Sequence, residues 1–276
     1  MNPQISKRGR FVHCTALVTG AAKGIGEAIA TALAREGARV WLADVDDAGV
    51  KTLAAKLQAE GACVHGVHLD VTSDHDWQQV AAHLLQEAEG LDILVNNAGI
   101  APVAAIEDTH PDLFRQVMQV NAESVFLGIR NCLQVLRQRS HRRVGGSSVI
   151  NIASLLAVRA LPHNLAYGAS KAAVLQIGKC AAIELARQGD AIRVNNVLPA
   201  VTDTPMVTQE VEEWARQGTM GTHDVAQTRK ALDQRIPIGR IGQPMDIAQA
   251  VLFLASEESA FMTGVDLPVD GGRSAV

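Results

Sequence analysis

The chain has 276 residues, 47% of them hydrophobic and 20% charged, the make-up of an ordinary globular protein with a sizeable core. Its net charge of -4 excludes a global field that recruits nucleic acid or an anionic membrane surface. No stretch is long and apolar enough to span a bilayer and the N-terminus lacks a continuous apolar segment, so a soluble cytoplasmic protein is expected.

Residues 1–12, with Lys7, Arg8 and Arg10, read as a short mobile extension ahead of a single domain at 13–276. Ala16–Thr19 is an apolar strand, followed by Gly20-Ala-Ala-Lys-Gly24-Ile-Gly26. Ile25, Ala28, Ile29, Ala32 and Leu33 then keep helical spacing until Gly37. In strand, glycine turn and helix, glycines permit a tight turn and close approach of backbone N–H groups to a pyrophosphate, and the helix dipole favours the anion. Arg39–Asp44 is a second strand ending in a carboxylate. An acid about 20 residues past the turn is placed to accept hydrogen bonds from adenosine ribose hydroxyls. The other use of an acid there is to cap the next helix, a task open equally to Asp46.

Cys63–Leu69 is a third strand with Asp70 at its exit, Trp77 to Leu85 an amphipathic helix, and Ile93–Gly99 a fourth strand running into a small-residue turn. One long helix is expected from about Asp112 to Arg137. The cationic run from Arg137 through Arg139, His141, Arg142 and Arg143 reads as its solvated end. Ser148–Ala153 is a buried strand, Ala172–Arg187 belongs to a second long helix, and Ile192–Leu198 is a sixth strand ended by Pro199. Residues 200–237 show poor periodicity and read as a mobile lid. Met245–Ala255 is a short helix and Val265–Val269 the last strand. Alternating strands and helices predict a parallel sheet covered on both faces. Ligands of such sheets sit at the strands' carboxyl ends, where Gly20, Asp44, Asp70, Asn97 and Ser154 all fall. The four cysteines lack metal or redox spacing and read as reduced thiols. His65 and His68 take opposite faces of a strand, against a shared metal, and no metal site is expected.

The chemistry centres on Asn151–Lys171. Tyr167 and Lys171 stand one helical turn apart on one face, and Ser154 follows a strand whose loop returns to that helix. The set suits proton transfer at an alcohol oxygen. A phenol of pKa about 10 needs roughly 4 kcal/mol of differential stabilisation to titrate three units lower, and a nearby lysine cation with a cationic cofactor supplies it.

These residues resemble the short-chain dehydrogenase/reductase family, from Thr15 to Gly272. The matching pieces are Thr19–Gly26, Asp70–Val71, Asn96–Gly99, Asn121, Ser154, Tyr167–Lys171, Asn196–Pro199 with Thr204, and the closing Asp-Gly-Gly. The resemblance implies an α/β fold, a single doubly wound (Rossmann) parallel sheet. It implies that Tyr167 is the general acid/base, that Ser154 hydrogen-bonds the substrate oxygen, and that Lys171 lowers the Tyr167 pKa and holds the nicotinamide ribose. Asn121 supports a water-linked proton relay. Gly20, Lys23, Gly24, Ile25 and Gly26 form the pyrophosphate turn, Asp44 and Val45 meet the ribose, and Asp70 and Val71 contact adenine. Asn97, Ala98, Gly99 and Pro199 line the coenzyme, and Thr202 and Thr204 hold the carboxamide. Ala200 stands where glycine is usual.

Asp44 favours NAD by repelling a 2′-phosphate, although Lys23 pulls toward NADP. Leu155, Leu156, Val158, Leu161, Met206 and Val207 offer an apolar pocket for a hydrophobic secondary alcohol or ketone, such as a cyclic alcohol or hydroxysteroid. A 3-oxoacyl-thioester reductase and a non-catalytic NAD sensor are the alternatives, the latter weakened by the intact polar set. The two long helices predict a homotetramer.

Overall fold

The computed structural model describes residues 9–276. Seven strands form one parallel sheet: β1 (Thr15–Thr19), β2 (Arg39–Asp44), β3 (Val64–His68), β4 (Ile93–Asn96), β5 (Ser147–Ile152), β6 (Ile192–Pro199) and β7 (Asp266–Val269), in the order β3-β2-β1-β4-β5-β6-β7. β1, β4, β5 and β6 are buried along their whole length, so they show no alternation of buried and exposed residues, and the polar residues within them are buried too. Helices α1 (Gly24–Arg35), α2 (Asp47–Ala59), α3 (Asp74–Ala88), α4 (Pro111–Met118), α5 (Ser124–Arg139), α6 (Leu165–Arg187), α7 (Pro205–Arg216), α8 (Val225–Arg235) and α9 (Pro244–Ala255) complete the chain. Ile29, Leu33, Leu57, Ile247 and Val251 close one face of the sheet. Trp77, Leu84, Val125, Leu136, Val174 and Leu185 close the other. Two cores, one on each face, make the sheet doubly wound.

A row of side-chain amides crosses half the sheet. Asn96 pairs in register with Asn151, Asn151 with Asn196, and Asn196 with Asp266. Their side chains follow suit: Asn96 donates to Asn151 (2.9 Å), Asn151 to Asn196 (3.0 Å) and Asn196 to Asp266 (2.8 Å). Buried amides demand partners, and a shift of one residue between strands would break every one of these bonds, so the row locks the register. Helices must come close over it. A Cβ at Gly128 of α5 would stand 2.5 Å from Asn96 Oδ1, and one at Gly178 of α6 would stand 2.3 Å from Asn196 Oδ1.

Four local expectations are corrected. Of the extension at 1–12, residues 1–8 lie outside the described residues, but residues 9–12 are packed. Phe11 is fully buried, and its N–H donates to the Glu36 carbonyl. The long helix expected from Asp112 is interrupted by a π-helical turn at Gln119–Glu123. Arg139 is not a solvated helix end: it is buried and ion-paired to buried Asp92 at 2.7 Å. Residues 200–237 hold α7 and α8 rather than irregular chain, and Val207, Val211, Trp214 and Leu232 build a small core of their own.

Gly178→Ala forces a methyl group onto the buried Asn196 amide. The overpacking costs about 1–3 kcal/mol, more than the roughly 1 kcal/mol that alanine gains in helix propensity. Calorimetric melting should show a Tm lowered by several degrees; an unchanged or raised Tm contradicts the packing role assigned to this glycine.

Candidate active site

The carboxyl ends of the strands open into one cavity of about 1050 Å³. That is at the top of the range for one small-molecule site and leaves room for two ligands side by side. Its wall begins at the glycine turn. Gly20 and Gly24 both have φ of +64°, a left-handed conformation that a side chain strains. A Cβ at Gly26 would stand 2.0 Å from the Gly20 carbonyl oxygen. Gly26 therefore permits the close crossing and does not itself line the cavity, whereas Gly20, Lys23, Gly24 and Ile25 do. The N-terminus of α1 faces this space, with the N–H groups and dipole that an anion requires.

Asp44 ends β2 at the same rim. Its Oδ2 accepts from the Ala22 N–H and its Oδ1 from the Asp46 N–H, each at 3.0 Å, which fixes the carboxylate beside the glycine turn. Capping of α2 falls to Asp46, which accepts from the Gly49 N–H. Val45, Asp70, Val71, Asn97, Ala98, Gly99, Pro199, Thr202 and Thr204 line the cavity as well. Asn97 donates to the Thr19 and Gly20 carbonyls, tying the end of β4 to the turn. Thr204 caps α7 through the Val207 N–H and sits against Gly24. Ala200 is not among the described residues with positive φ, so alanine takes this place without backbone strain.

Ser154, Tyr167 and Lys171 line the same cavity. Ser154 follows β5 and accepts from the Leu156 N–H at 3.1 Å. Tyr167 and Lys171 occupy the first turns of α6. Lys171 is buried, and its ammonium donates to the Ile152 carbonyl at 2.8 Å and lies 5.8 Å from the Tyr167 ring centre. Asn121 does not line the cavity. It is fully buried in the π-turn, exchanging both amide bonds with the Ile100 backbone and donating to Ser170 at 3.0 Å. It meets Lys171 across Gly99, where a Cβ would stand 3.2 Å from Asn121 Oδ1 and 3.4 Å from Lys171 Nζ.

The electrostatics correct one expectation. Burial pushes the Tyr167 phenol above its ordinary pKa, Glu210 pushes it the same way, and only the Ser154 hydroxyl opposes them. The Lys171 ammonium points at a backbone carbonyl instead of lowering the phenol, and burial brings its own pKa down to about 8. The chain alone thus keeps Tyr167 protonated at neutral pH, so the lowered phenol requires a cation beyond those the chain places here.

Glu210 was not foreseen from the sequence. It lies on α7 at helical spacing with Val207, Val211 and Trp214, all buried, and it lines the cavity. One acid inside an otherwise apolar stripe is the signal that marks it.

The family model described as Enoyl-(Acyl carrier protein) reductase matches residues 20–274. The chain is 38% identical over 267 residues to a cyclopentanol dehydrogenase of Comamonas sp. (strain NCIMB 9872), covering 97% of this chain and 99% of the relative. A solved structure from Burkholderia xenovorans described as a short-chain dehydrogenase/reductase superimposes with a TM-score of 0.87 at 34% identity, covering 97% of this chain and 99% of that one. The 3-ketoacyl-(acyl-carrier-protein) reductase of Brucella melitensis, solved with NADH, gives 0.83 at 33% identity, covering 96% and 99%.

Proposed function

The chain belongs to the short-chain dehydrogenase/reductase family, and on that premise we propose that it is an NAD-dependent dehydrogenase of hydrophobic, cyclic secondary alcohols. It is an oxidoreductase acting on CH–OH groups, with a nicotinamide cofactor. The observation that carries the reading is the single cavity that the glycine turn and Asp44 share with Ser154, Tyr167 and Lys171. The glycines, the open N-terminus of α1 and the fixed carboxylate fit a dinucleotide. Leu155, Leu156, Leu161, Met206 and Val207 fit an apolar substrate. The cyclopentanol-oxidising relative supports a ring alcohol, and hydroxysteroids fall in the same class.

Bound NAD supplies the hydride acceptor and a positive ring. The chain does the rest. Ser154 holds the substrate oxygen, and Tyr167 removes its proton as the carbon is oxidised. Lys171 is placed to hold the nicotinamide ribose and, once turned from Ile152, to favour the phenolate. Asn121 anchors the loop after β4 against α6 behind Lys171, where a water-linked relay would begin. A 3-oxoacyl-thioester reductase is the second reading, favoured by the description of the matching family model and by the Brucella structure. With four free cysteines and, among the described residues, no helix long and apolar enough to cross a membrane, we assign the protein to the cytoplasm.

The assay is purified protein with NAD⁺ against secondary alcohols, hydroxysteroids and a 3-hydroxyacyl thioester, read by nicotinamide absorbance. Oxidation of ring alcohols is expected, and turnover of the thioester alone overturns the reading. Oxidation should rise with pH as the phenol ionises. Tyr167→Phe should lower turnover on the order of 10²-fold or more while leaving NAD binding nearly intact. Near-original turnover by a folded Phe variant removes Tyr167 from the acid/base role.

Asp44 underlies the choice of coenzyme. Calorimetric titration should find NAD bound at least about tenfold more tightly than NADP, a difference of roughly 1.4 kcal/mol, and Asp44→Ala should narrow the gap. Tighter binding of NADP to the natural protein refutes it.

We also propose a homotetramer. Half-exposed Phe126 on α5 and Ile183 on α6 leave apolar surface that symmetric pairing of these helices would bury. Light scattering should return four times the 29.3 kDa chain mass at micromolar concentration; the mass of one chain contradicts it.

A further inference from the structure

Glu210 is the one group in the cavity that this mechanism leaves unused although it lies close enough to act on Tyr167. Its neighbours on the buried stripe of α7, Val207, Val211 and Trp214, are apolar. Glu210 itself is only 8% exposed, and it lines the cavity beside them. Among the described residues its carboxyl has neither a hydrogen bond nor an ion pair. The nearby acid on the same helix, Glu213, is satisfied by Arg216 and Gln217. None of the five cationic residues that line the cavity bonds to Glu210: Lys171 donates to the Ile152 carbonyl, Arg159 to the Arg273 carbonyl and Arg235 to Met220 Sδ, and Lys23 and Arg273 make no ion pair with it. The Glu210 oxygens are not among the sealed, unsatisfied polar atoms of the described residues, so they open onto the cavity, where a ligand's polar group can reach them.

We propose that Glu210 is a specificity-determining residue that pairs with a second hydroxyl group of the substrate, so that the preferred substrates are alicyclic diols rather than simple ring alcohols. The inference rests on the dehydrogenase reading above and narrows its substrate class. The choice of a hydroxyl follows from what the carboxyl can do. Burial raises its pKa to about 8, so it is mainly the neutral acid at pH 7 and the carboxylate at higher pH, where oxidation is favoured. A carbonyl partner suits only the acid, which donates. An ammonium partner is held strongly only by the carboxylate, through its charge. A hydroxyl both donates and accepts, and so pairs with Glu210 in either state. The remaining substrate contacts stay apolar, with Ser154 and Tyr167 on the reacting oxygen and Glu210 on the other.

The experiment compares kcat/KM for cyclohexanol, the isomeric cyclohexanediols and aminocyclohexanols in the natural protein, Glu210→Gln and Glu210→Leu. NAD binding and melting temperature establish that each variant is folded. The natural protein should prefer its best diol to cyclohexanol by about tenfold to a hundredfold, the range of a hydrogen bond to a charged or polar buried group. Glu210→Leu should bring the ratio of diol to cyclohexanol kcat/KM close to one, a ratio in which any common effect on Tyr167 cancels. Glu210→Gln, which keeps a donor and an acceptor, should retain part of the preference. A ratio near one in the natural protein, or a ratio that Leu does not move, overturns the inference and leaves the dehydrogenase reading standing. Preference for the amino alcohol over every diol assigns the carboxyl to a cation and also overturns it. Oxidation of none of these alcohols by a folded, NAD-binding protein overturns the dehydrogenase reading and the inference together.

Discussion

The register lock across β4, β5, β6 and β7 is the constraint on which the site depends. Asn96, Asn151, Asn196 and Asp266 are bonded side chain to side chain, so the four strands end where they must relative to one another. One residue beyond Asn96 is Asn97, which clamps the glycine turn, and one beyond Asn151 is Ile152, whose carbonyl receives the Lys171 ammonium. Past the end of β6 come Thr202 and Thr204. Slipping any of these strands by a residue would turn inward-facing groups outward and scatter the rim. The glycines facing the row serve the same end. Gly178 lets α6 settle onto Asn196, and α6 is the helix that carries Tyr167 and Lys171 at its start.

The site is costly in stability. A buried lysine, a half-buried phenol and a buried carboxyl without a protein partner share one cavity, and desolvation shifts each of them toward its neutral form. Each would be better replaced by an apolar side chain if folding were the only demand. The cost is carried by the two cores on either face of the sheet, which hold the strands rigid under the cavity. A phenol held neutral by its surroundings leaves room for a bound coenzyme with a cationic ring to change its state. In a dry cavity that one charge would have a large effect, and it would bring the phenol down where the chain by itself holds it up.

Much of this was legible in the sequence because the sheet is parallel and buried. Runs such as Ala16–Thr19 and Ile192–Leu198 have few alternative readings, and polar residues such as Asp44, Asn97 and Ser154 fall at or just past strand ends, where ligands of such sheets bind. Helical spacing alone put Tyr167 and Lys171 on one face. What escaped was long-range or geometric. The π-turn at Gln119–Glu123 has no residue pattern that separates it from α-helix, yet it is what points Asn121 at the loop after β4. The amide row needs strand order before Asn151 and Asn196 become neighbours. Arg139 looked like a solvated cation until Asp92, from a distant strand edge, claimed it. The helices within 200–237 escaped because Glu210, Glu212 and Glu213 dilute the apolar stripe of α7, although Val207, Val211 and Trp214 keep helical spacing. That the ligand-free chain raises the Tyr167 phenol could not be read either, because burial is invisible in a five-residue motif.

Hydride transfer from an alcohol carbon is the central claim, and an isotope label tests it most directly. The protein would be given NAD⁺ and cyclopentanol carrying deuterium only on the carbinol carbon, and the coenzyme recovered for mass spectrometry. The account predicts that reduced coenzyme carries one deuterium per turnover, and that the label slows turnover relative to the protiated alcohol or leaves it limited by coenzyme release. Reduced coenzyme without deuterium, or no reduction with any ring alcohol by protein that binds NAD, contradicts it.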